Sequence, residues 1–133
     1  MKNYVFDSYA VISYLEDESG ASEISKILTF AFDKDINIYF CIVNWGEVYY
    51  ITLRECGQQA CDTAVATMNG LPLTIIDVDM ELTRQAAIFK SKYKMSYSDC
   101  FAAALSKKLK ATLVTGDPEF KQVEKEISVY WIE

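Results

Sequence analysis

Short runs of β-branched and aromatic residues alternate with segments of helical length along this 133-residue chain. Tyr4–Phe6 and Ile36–Val43 have the composition of buried strands, and Gly20–Phe32 carries apolar residues at the spacing of one helix face. Strands that alternate with helices form parallel sheets, which helices cover on both faces. The pattern therefore predicts an α/β protein with a three-layer α/β/α fold and a central, mainly parallel sheet of four or five strands.

The rest of the chain continues this alternation without a linker, a repeat or a low-complexity segment. We expect further strands over 73–76, 111–115 and 127–132, and further helices over 8–16, 45–56, 58–68, 80–93, 98–109 and 118–125. The segment 45–56 is ambiguous, because Val48–Thr52 has strand propensity whereas Asn44 and Glu47 have the spacing of a helix capping box. We predict a helix there, and one domain over residues 1–133.

Four acidic residues stand where a strand gives way to a helix or where a helix begins: Asp7, Glu47, Asp99 and Asp117. The carboxyl ends of parallel strands meet at one edge of a sheet, and ligands bind in the crevice there. Carboxylates gathered at this edge suit a hard divalent cation, and Mg²⁺ or Mn²⁺ fits best. Metal ions held by carboxylates are a common means of hydrolysing phosphodiesters, so the pattern indicates a hydrolase.

Helix capping explains each of these acids when it is considered alone. Asp7 can cap the first helix, and Asp117 precedes Pro118 as an N-cap residue often does. Glu47 and Asp99 can each be the acidic partner in a capping box. However, no Lys or Arg adjoins any of the four acids, and no glycine-rich phosphate loop follows the first strand. Both observations favour a functional site over four separate caps.

Composition excludes several other classes of site. The chain has no histidine, which excludes a Ser-His-Asp triad and a histidine-ligated zinc site. None of its four cysteines forms a C-x-x-C pair, so we expect free thiols in a reducing compartment. We find no signal peptide and no membrane-spanning run, and therefore expect a cytoplasmic protein. The net charge of −6 disfavours a nucleic-acid ligand without excluding one, because four of the acids belong to the candidate site.

Four short motifs surround the acids in order along the chain. They are Tyr4–Ser8, Asn44–Val48, Met95–Asp99 leading into Ala102–Ala104, and Leu113–Asp117 followed by Phe120. In order and spacing these motifs resemble those of a PIN domain, over the whole chain. The chain is most similar to the small VapC-like toxins of type II toxin–antitoxin pairs.

The resemblance implies a metal-dependent endoribonuclease that cleaves RNA. Asp7, Glu47, Asp99 and Asp117 match the acidic quartet of the family, which holds Mg²⁺ or Mn²⁺ and carries catalysis. Among them, we expect Asp7 and Asp117 to be direct ligands. We expect Glu47 and Asp99 to complete the metal site or to orient the attacking water.

Further positions of the family pattern are polar or acidic. They match residues that position metal, water or phosphate, or an additional acid of some members: Ser8, Asn44, Thr115 and Glu119. Two departures from the pattern remove no ligand. Cys100 replaces the small residue that commonly follows the third acid, and Gly116 and Pro118 give the last motif an unusual backbone.

The resemblance also implies a homodimer and a small antitoxin protein as partners. The apolar and aromatic residues of Ile24–Phe32 and Val48–Leu53 suit a groove for an apolar segment of that antitoxin. An antitoxin Arg or Lys would be attracted to the acidic site. Lysines at 90, 92 and 94 can steer phosphate, whereas those at 107, 108 and 110 suit the end of a helix.

Two other functions fit the same residues. A PIN-like fold can bind RNA or protein without cutting, with its acids serving as caps. A metal-dependent phosphatase acting on a small phosphoester would use the same chemistry, and only the family resemblance argues against it.

Overall fold

The computed structural model describes residues 2–132 and contains a five-stranded sheet in which every neighbouring pair is parallel. Its strands are β1 (Lys2–Phe6), β2 (Ile36–Cys41), β3 (Thr74–Ile76), β4 (Thr112–Thr115) and β5 (Val129–Trp131). They lie in the order β3-β2-β1-β4-β5. The predicted α/β fold with a mainly parallel sheet of four or five strands is therefore confirmed.

Helices connect the strands as a parallel sheet requires. They are α1 (Ser8–Leu15), α2 (Ala21–Phe32), α3 (Ile42–Cys56), α4 (Gln58–Asn69), α5 (Met80–Lys92), α6 (Tyr97–Leu109) and a 3₁₀ helix over Pro118–Val123. Within residues 2–132, no helix combines the length and the apolar character needed to cross a membrane. All four cysteines are free thiols, as predicted.

The core is divided by the sheet into two apolar layers. Val5 and Leu113 face a cluster built with α5, α6 and the 3₁₀ helix. Their neighbours Phe6 and Val114 face the opposite cluster, built with α1, α2, α4 and part of α3. Consecutive side chains of a strand point to opposite faces, so continuous apolar strands are buried on both sides.

The register of the sheet determines where the loops meet. Phe6 at the end of β1 pairs with Phe40 of β2 and with Val114 of β4. These strands therefore end at the same level. The segments that follow them begin at residues 7, 42 and 116, and they share the carboxyl edge of the sheet.

One predicted boundary and its cap are wrong. Ile42 and Val43 were expected to end the strand, but α3 begins at Ile42, directly after β2. Asn44 therefore lies inside the first turn of α3 and is not its N-cap, so it does not form a capping box with Glu47. The β-branched residues favour a strand locally. However, β2 makes its last pairing at Cys41, and the helix buries Val48 in the core. The helix predicted over 45–56 is confirmed.

Candidate metal centre

All four predicted acids, together with Glu119, lie at the carboxyl edge of the sheet. Asp7 is the N-cap of α1, and Asp117 is the N-cap of the 3₁₀ helix. Glu47 lies in the second turn of α3, and Asp99 lies in the first turn of α6. Elements from four separate parts of the chain therefore supply the acids, as the sequence predicted.

Three of these carboxylates form the tightest group. Asp99, Asp117 and Glu119 each place an oxygen within 4.8 Å of the others. Asp99 is buried, Asp117 is partly buried and Glu119 is exposed, so the group opens to solvent on the Glu119 side. Three oxygen ligands at this spacing fit Mg²⁺ or Mn²⁺, which bind through a few carboxylates and keep further positions for water or phosphate. Asp7 and Glu47 lie outside this group.

Asp7 is fully buried, and both of its oxygens accept a hydrogen bond. The Ala10 backbone N–H donates to Oδ1 over 2.8 Å, which is the N-cap bond of α1. The Thr115 hydroxyl donates to Oδ2. The capping explanation for Asp7 is thus correct, and it coexists with a place in the acidic site.

Thr115 connects the first acid to the fourth. Its Oγ1 donates to Asp7 and accepts from the backbone N–H of Asp117 over 3.0 Å. The side chain has no exposed surface. A single hydroxyl at the end of β4 therefore fixes both the Asp7 carboxylate and the turn that carries Asp117.

Glu47 is held by two serine hydroxyls. Ser8 donates to Oε1, and Ser98 donates to Oε2 over 2.9 Å. The Asn44 amide, one turn before Glu47, donates to the Ser98 carbonyl over 3.0 Å. Sequence reasoning proposed Ser8 and Asn44 as supporting residues but missed Ser98. Its position beside Asp99 was the only available signal.

Burial raises the pKa of two of the acids. Burial is the largest effect on Asp7, whose pKa rises to about 7 even though the bonds from Thr115 and Ala10 lower it. Burial also raises the pKa of Asp99, to about 8, and repulsion from Asp117, Asp7 and Glu47 adds to the rise. The mutual repulsion of the carboxylates and their burial therefore favour the protonated forms of Asp7 and Asp99. Within residues 2–132, none of the ion pairs includes one of these acids.

An aromatic ring leaves no room for a side chain at residue 116. A Cβ atom added to Gly116 would lie 2.4 Å from Cε1 of Tyr9, a distance that real Cβ contacts do not reach. Tyr9 lies in the first turn of α1, two residues after Asp7. The glycine that seemed unusual in the sequence therefore leaves room for the Tyr9 ring beside the turn that carries Asp117.

The lysines before α6 are largely engaged with the protein itself. The Lys90 ammonium donates to the Met95 carbonyl over 2.6 Å, and Lys92 pairs with Glu126 at 3.7 Å. Lys107 reaches the same glutamate, at 2.8 Å. These contacts give the basic run a structural role, and its predicted role in steering phosphate stays a prediction.

Comparison with known proteins identifies related sequences and folds. A family model described as "PIN domain" matches residues 4–126. No curated protein matches the chain.

Solved structures share the architecture over nearly the full length. DNA-bound VapBC from Salmonella typhimurium superimposes with a TM-score of 0.78, at 13% identity, over 100% of both chains. VapBC2 from Rickettsia felis, bound to a promoter DNA fragment, gives a TM-score of 0.77 at 15% identity, over 96% of this chain and 97% of that one. VapC20 of Mycobacterium tuberculosis, described as a toxin that cleaves the sarcin-ricin loop, gives 0.73 at 15% identity, over 90% and 94%. At such identities the likeness concerns the fold.

Proposed function

This chain belongs to the PIN-domain family, and from that premise we propose that it is a metal-dependent endoribonuclease and the toxin of a toxin–antitoxin pair. The observation that carries the proposal is the group formed by Asp99, Asp117 and Glu119, whose carboxylate oxygens lie within 4.8 Å of one another. Such a group repels itself unless protons or a cation neutralise it. A divalent cation is the neutralising partner that also gives a hydrolytic enzyme its chemistry.

The acids divide into two sets by whether their oxygens converge. Asp99, Asp117 and Glu119 would hold the metal ion, since their oxygens converge. Asp7 and Glu47 have one protein donor on each oxygen, and each oxygen keeps a further lone pair. When ionised, these two acids add negative charge beside the group. Direct ligation by Asp7, which the sequence analysis expected beside Asp117, stays a prediction.

A bound Mg²⁺ or Mn²⁺ would acidify a coordinated water and stabilise charge on a phosphodiester. The chain's own part is to orient the carboxylates and to leave an open side for the substrate. Thr115 fixes Asp7 relative to Asp117, and the serine hydroxyls fix Glu47. Glu119 is exposed, so an RNA phosphate has access from its side.

RNA is proposed as the substrate because of the family and because the M. tuberculosis neighbour is described as cleaving the sarcin-ricin loop. Several structural neighbours are VapBC complexes, which supports an antitoxin as the partner of this chain. Exposed aromatic residues on α2, Phe30 and Phe32, and exposed Tyr50 and Leu53 on α3 support apolar contacts with that antitoxin or with a second copy in a homodimer.

The decisive experiment compares wild type with two variants that each remove one carboxylate from a helix N-cap. Asp117→Asn alters the site, whereas Asp79→Asn alters the cap of α5, where Asp79 accepts the Leu82 backbone N–H. Wild type and Asp79→Asn should bind Mn²⁺ in calorimetry and cleave structured RNA with Mg²⁺ or Mn²⁺, but not in EDTA. Asp117→Asn should lose both activities. Equal cleavage in EDTA, or equal metal affinity in all three proteins, would refute the proposal.

Three further assays separate the two alternative functions from an endonuclease. An inactive PIN-like module would bind RNA in a filter assay and leave it intact with either metal. A metal-dependent phosphatase would release phosphate from p-nitrophenyl phosphate and leave internal phosphodiesters of a circular RNA uncut. Cutting of the circular RNA establishes an endonuclease, because a circle offers no ends.

A further inference from the structure

We propose that Ser98 is a positioning residue, which together with Ser8 holds the Glu47 carboxylate in one orientation beside the acidic group. The inference rests on the proposed nuclease function. It assigns a role to a residue that lies outside the four family acids and outside the supporting positions matched from the sequence.

The contact geometry supports this role from both sides of Glu47. Ser8, at the first position of α1, donates to Oε1, and Ser98, at the second position of α6, donates to Oε2 over 2.9 Å. Both hydroxyls lie next in sequence to a site acid, Asp7 and Asp99 respectively. The carboxylate of α3 is thus clamped between the two helices that carry the first and third acids.

Ser98 is itself held in place. Asn44 donates to its carbonyl over 3.0 Å, and the Ser96 hydroxyl lies 3.2 Å from its own hydroxyl. Ser96 is the N-cap of α6 and accepts the Asp99 backbone N–H over 3.2 Å. These bonds hold Ser98 in place at the start of α6. Its hydroxyl therefore reaches Glu47 from a fixed position.

A fixed glutamate has a kinetic consequence. A free glutamate side chain loses rotamer entropy when it is ordered. The two serines order Glu47 before substrate binds. The rotamer entropy of its side chain is therefore not lost during the reaction step. Removing Ser98 frees one oxygen of Glu47 while leaving Asp99, Asp117 and Glu119 unchanged. The expected defect is therefore in kcat and not in metal affinity.

The test compares Ser98→Ala, Ser98→Thr and Ser106→Ala. Ser106 is a matched control, because it lies in the same helix and its buried hydroxyl donates only to the Ala102 carbonyl of that helix. In Ser98→Ala, kcat for RNA should fall by about 10- to 100-fold, with KM and Mn²⁺ affinity within about twofold of wild type. Ser98→Thr keeps the hydroxyl and should restore most of kcat, and Ser106→Ala should match wild type.

A second measurement does not depend on nuclease activity. Ser98→Ala and Glu47→Ala, singly and together, form a double-mutant cycle in the unfolding equilibrium, measured in EDTA. A hydrogen bond to a charged group predicts a coupling of about tenfold or more in the unfolding constant.

The outcomes separate failure of the inference from failure of the proposed function. If wild type cuts RNA and Ser98→Ala keeps its kcat, or if threonine fails to rescue it, Ser98 is not a positioning residue. If wild type does not cut RNA, the nuclease proposal fails, and absence of coupling in the cycle then also removes the claim that Ser98 holds Glu47. Coupling together with rescue by threonine establishes the role.

Discussion

Replacing Asp7 with asparagine should stabilise the metal-free protein, and by more at alkaline pH than at mildly acidic pH. Asparagine is nearly isosteric with aspartate and is an equally good N-cap residue, so the bond from the Ala10 N–H can persist. What the substitution removes is the cost of ionising a carboxyl group that is fully buried.

The magnitude follows from the shift in the Asp7 pKa from 3.8 to about 7. Because one pH unit corresponds to about 1.4 kcal/mol, the ionised group destabilises the folded state by about 4 kcal/mol relative to the protonated group. The folded state binds this proton more tightly than the unfolded state does. The stabilisation that the Asp7 proton gives the folded state is therefore fully present below about pH 4, decreases as pH rises, and is lost above about pH 7.

The assay is urea denaturation in EDTA at pH 5.5 and pH 8.0. Between these values the stability of Asp7→Asn relative to wild type should rise by about 2 kcal/mol, since the remaining window of about 1.5 pH units lies below the folded pKa. At pH 8.0 the net gain should be about 3 kcal/mol, after about 1 kcal/mol is deducted for the altered bond from Thr115.

Asp79→Asn provides the matched control for this prediction. Asp79 caps α5 as Asp7 caps α1, but it is exposed, and the bond from the Leu82 N–H lowers its pKa. The stabilisation that ionised Asp79 provides is present above its unfolded pKa and is lost as pH falls through its folded pKa. The Asp79→Asn substitution should therefore destabilise the protein at both test pH values. A difference between Asp7→Asn and wild type that does not change between pH 5.5 and 8.0 would refute the account of Asp7.

Three further predictions follow from the same site. Gly116→Ala should lower the free energy of unfolding by about 1–3 kcal/mol, because the alanine Cβ would overlap the Tyr9 ring. In the same denaturation assay, the double variant with Tyr9→Ala should recover part of that loss. Thr115→Val should lower stability at pH 8.0 by about 1–3 kcal/mol and raise the Asp7 pKa further, as seen in the pH profile of unfolding, because it removes the donor to that carboxylate. Mn²⁺ affinity measured by calorimetry should increase from pH 6 to pH 8, since Asp7 and Asp99 lose their protons over this range. An affinity independent of pH would contradict the raised pKa values.

The sheet and most helices were predictable because their signals are local. Apolar runs such as Tyr4–Phe6 and the helical spacing in Gly20–Phe32 indicate the element type without knowledge of what packs against them. The start of α3 was not predictable in this way. Ile42 and Val43 have strand propensity, and only the pairing of β2 with β3, which ends at Cys41, shows that the strand is complete.

The candidate site was also predictable only in part. Placing four acids at one edge needed only the rule that parallel strands end together. The bond from Ser98 to Glu47 could not be inferred, because the two residues are 51 positions apart and nothing local to either indicates the other. The convergence of Asp99 and Asp117 with Glu119, and not with Asp7, likewise depends on how the turn after β4 is folded.

The hydrogen bond between Thr115 and Asp7 joins residues that are 108 positions apart. During synthesis the first acid therefore leaves the ribosome long before its partner has been added to the chain. β4 must insert beside β1 before that bond can form, and the turn that carries Asp117 is attached to the same hydroxyl. A growing chain that stops short of β4 can hold Asp7 and Glu47, but it lacks the fourth acid and the hydroxyl that orients the first. The acidic site is thus complete only after β4 and the turn that follows it have been made, and a translation product that stops before β4 has no complete site.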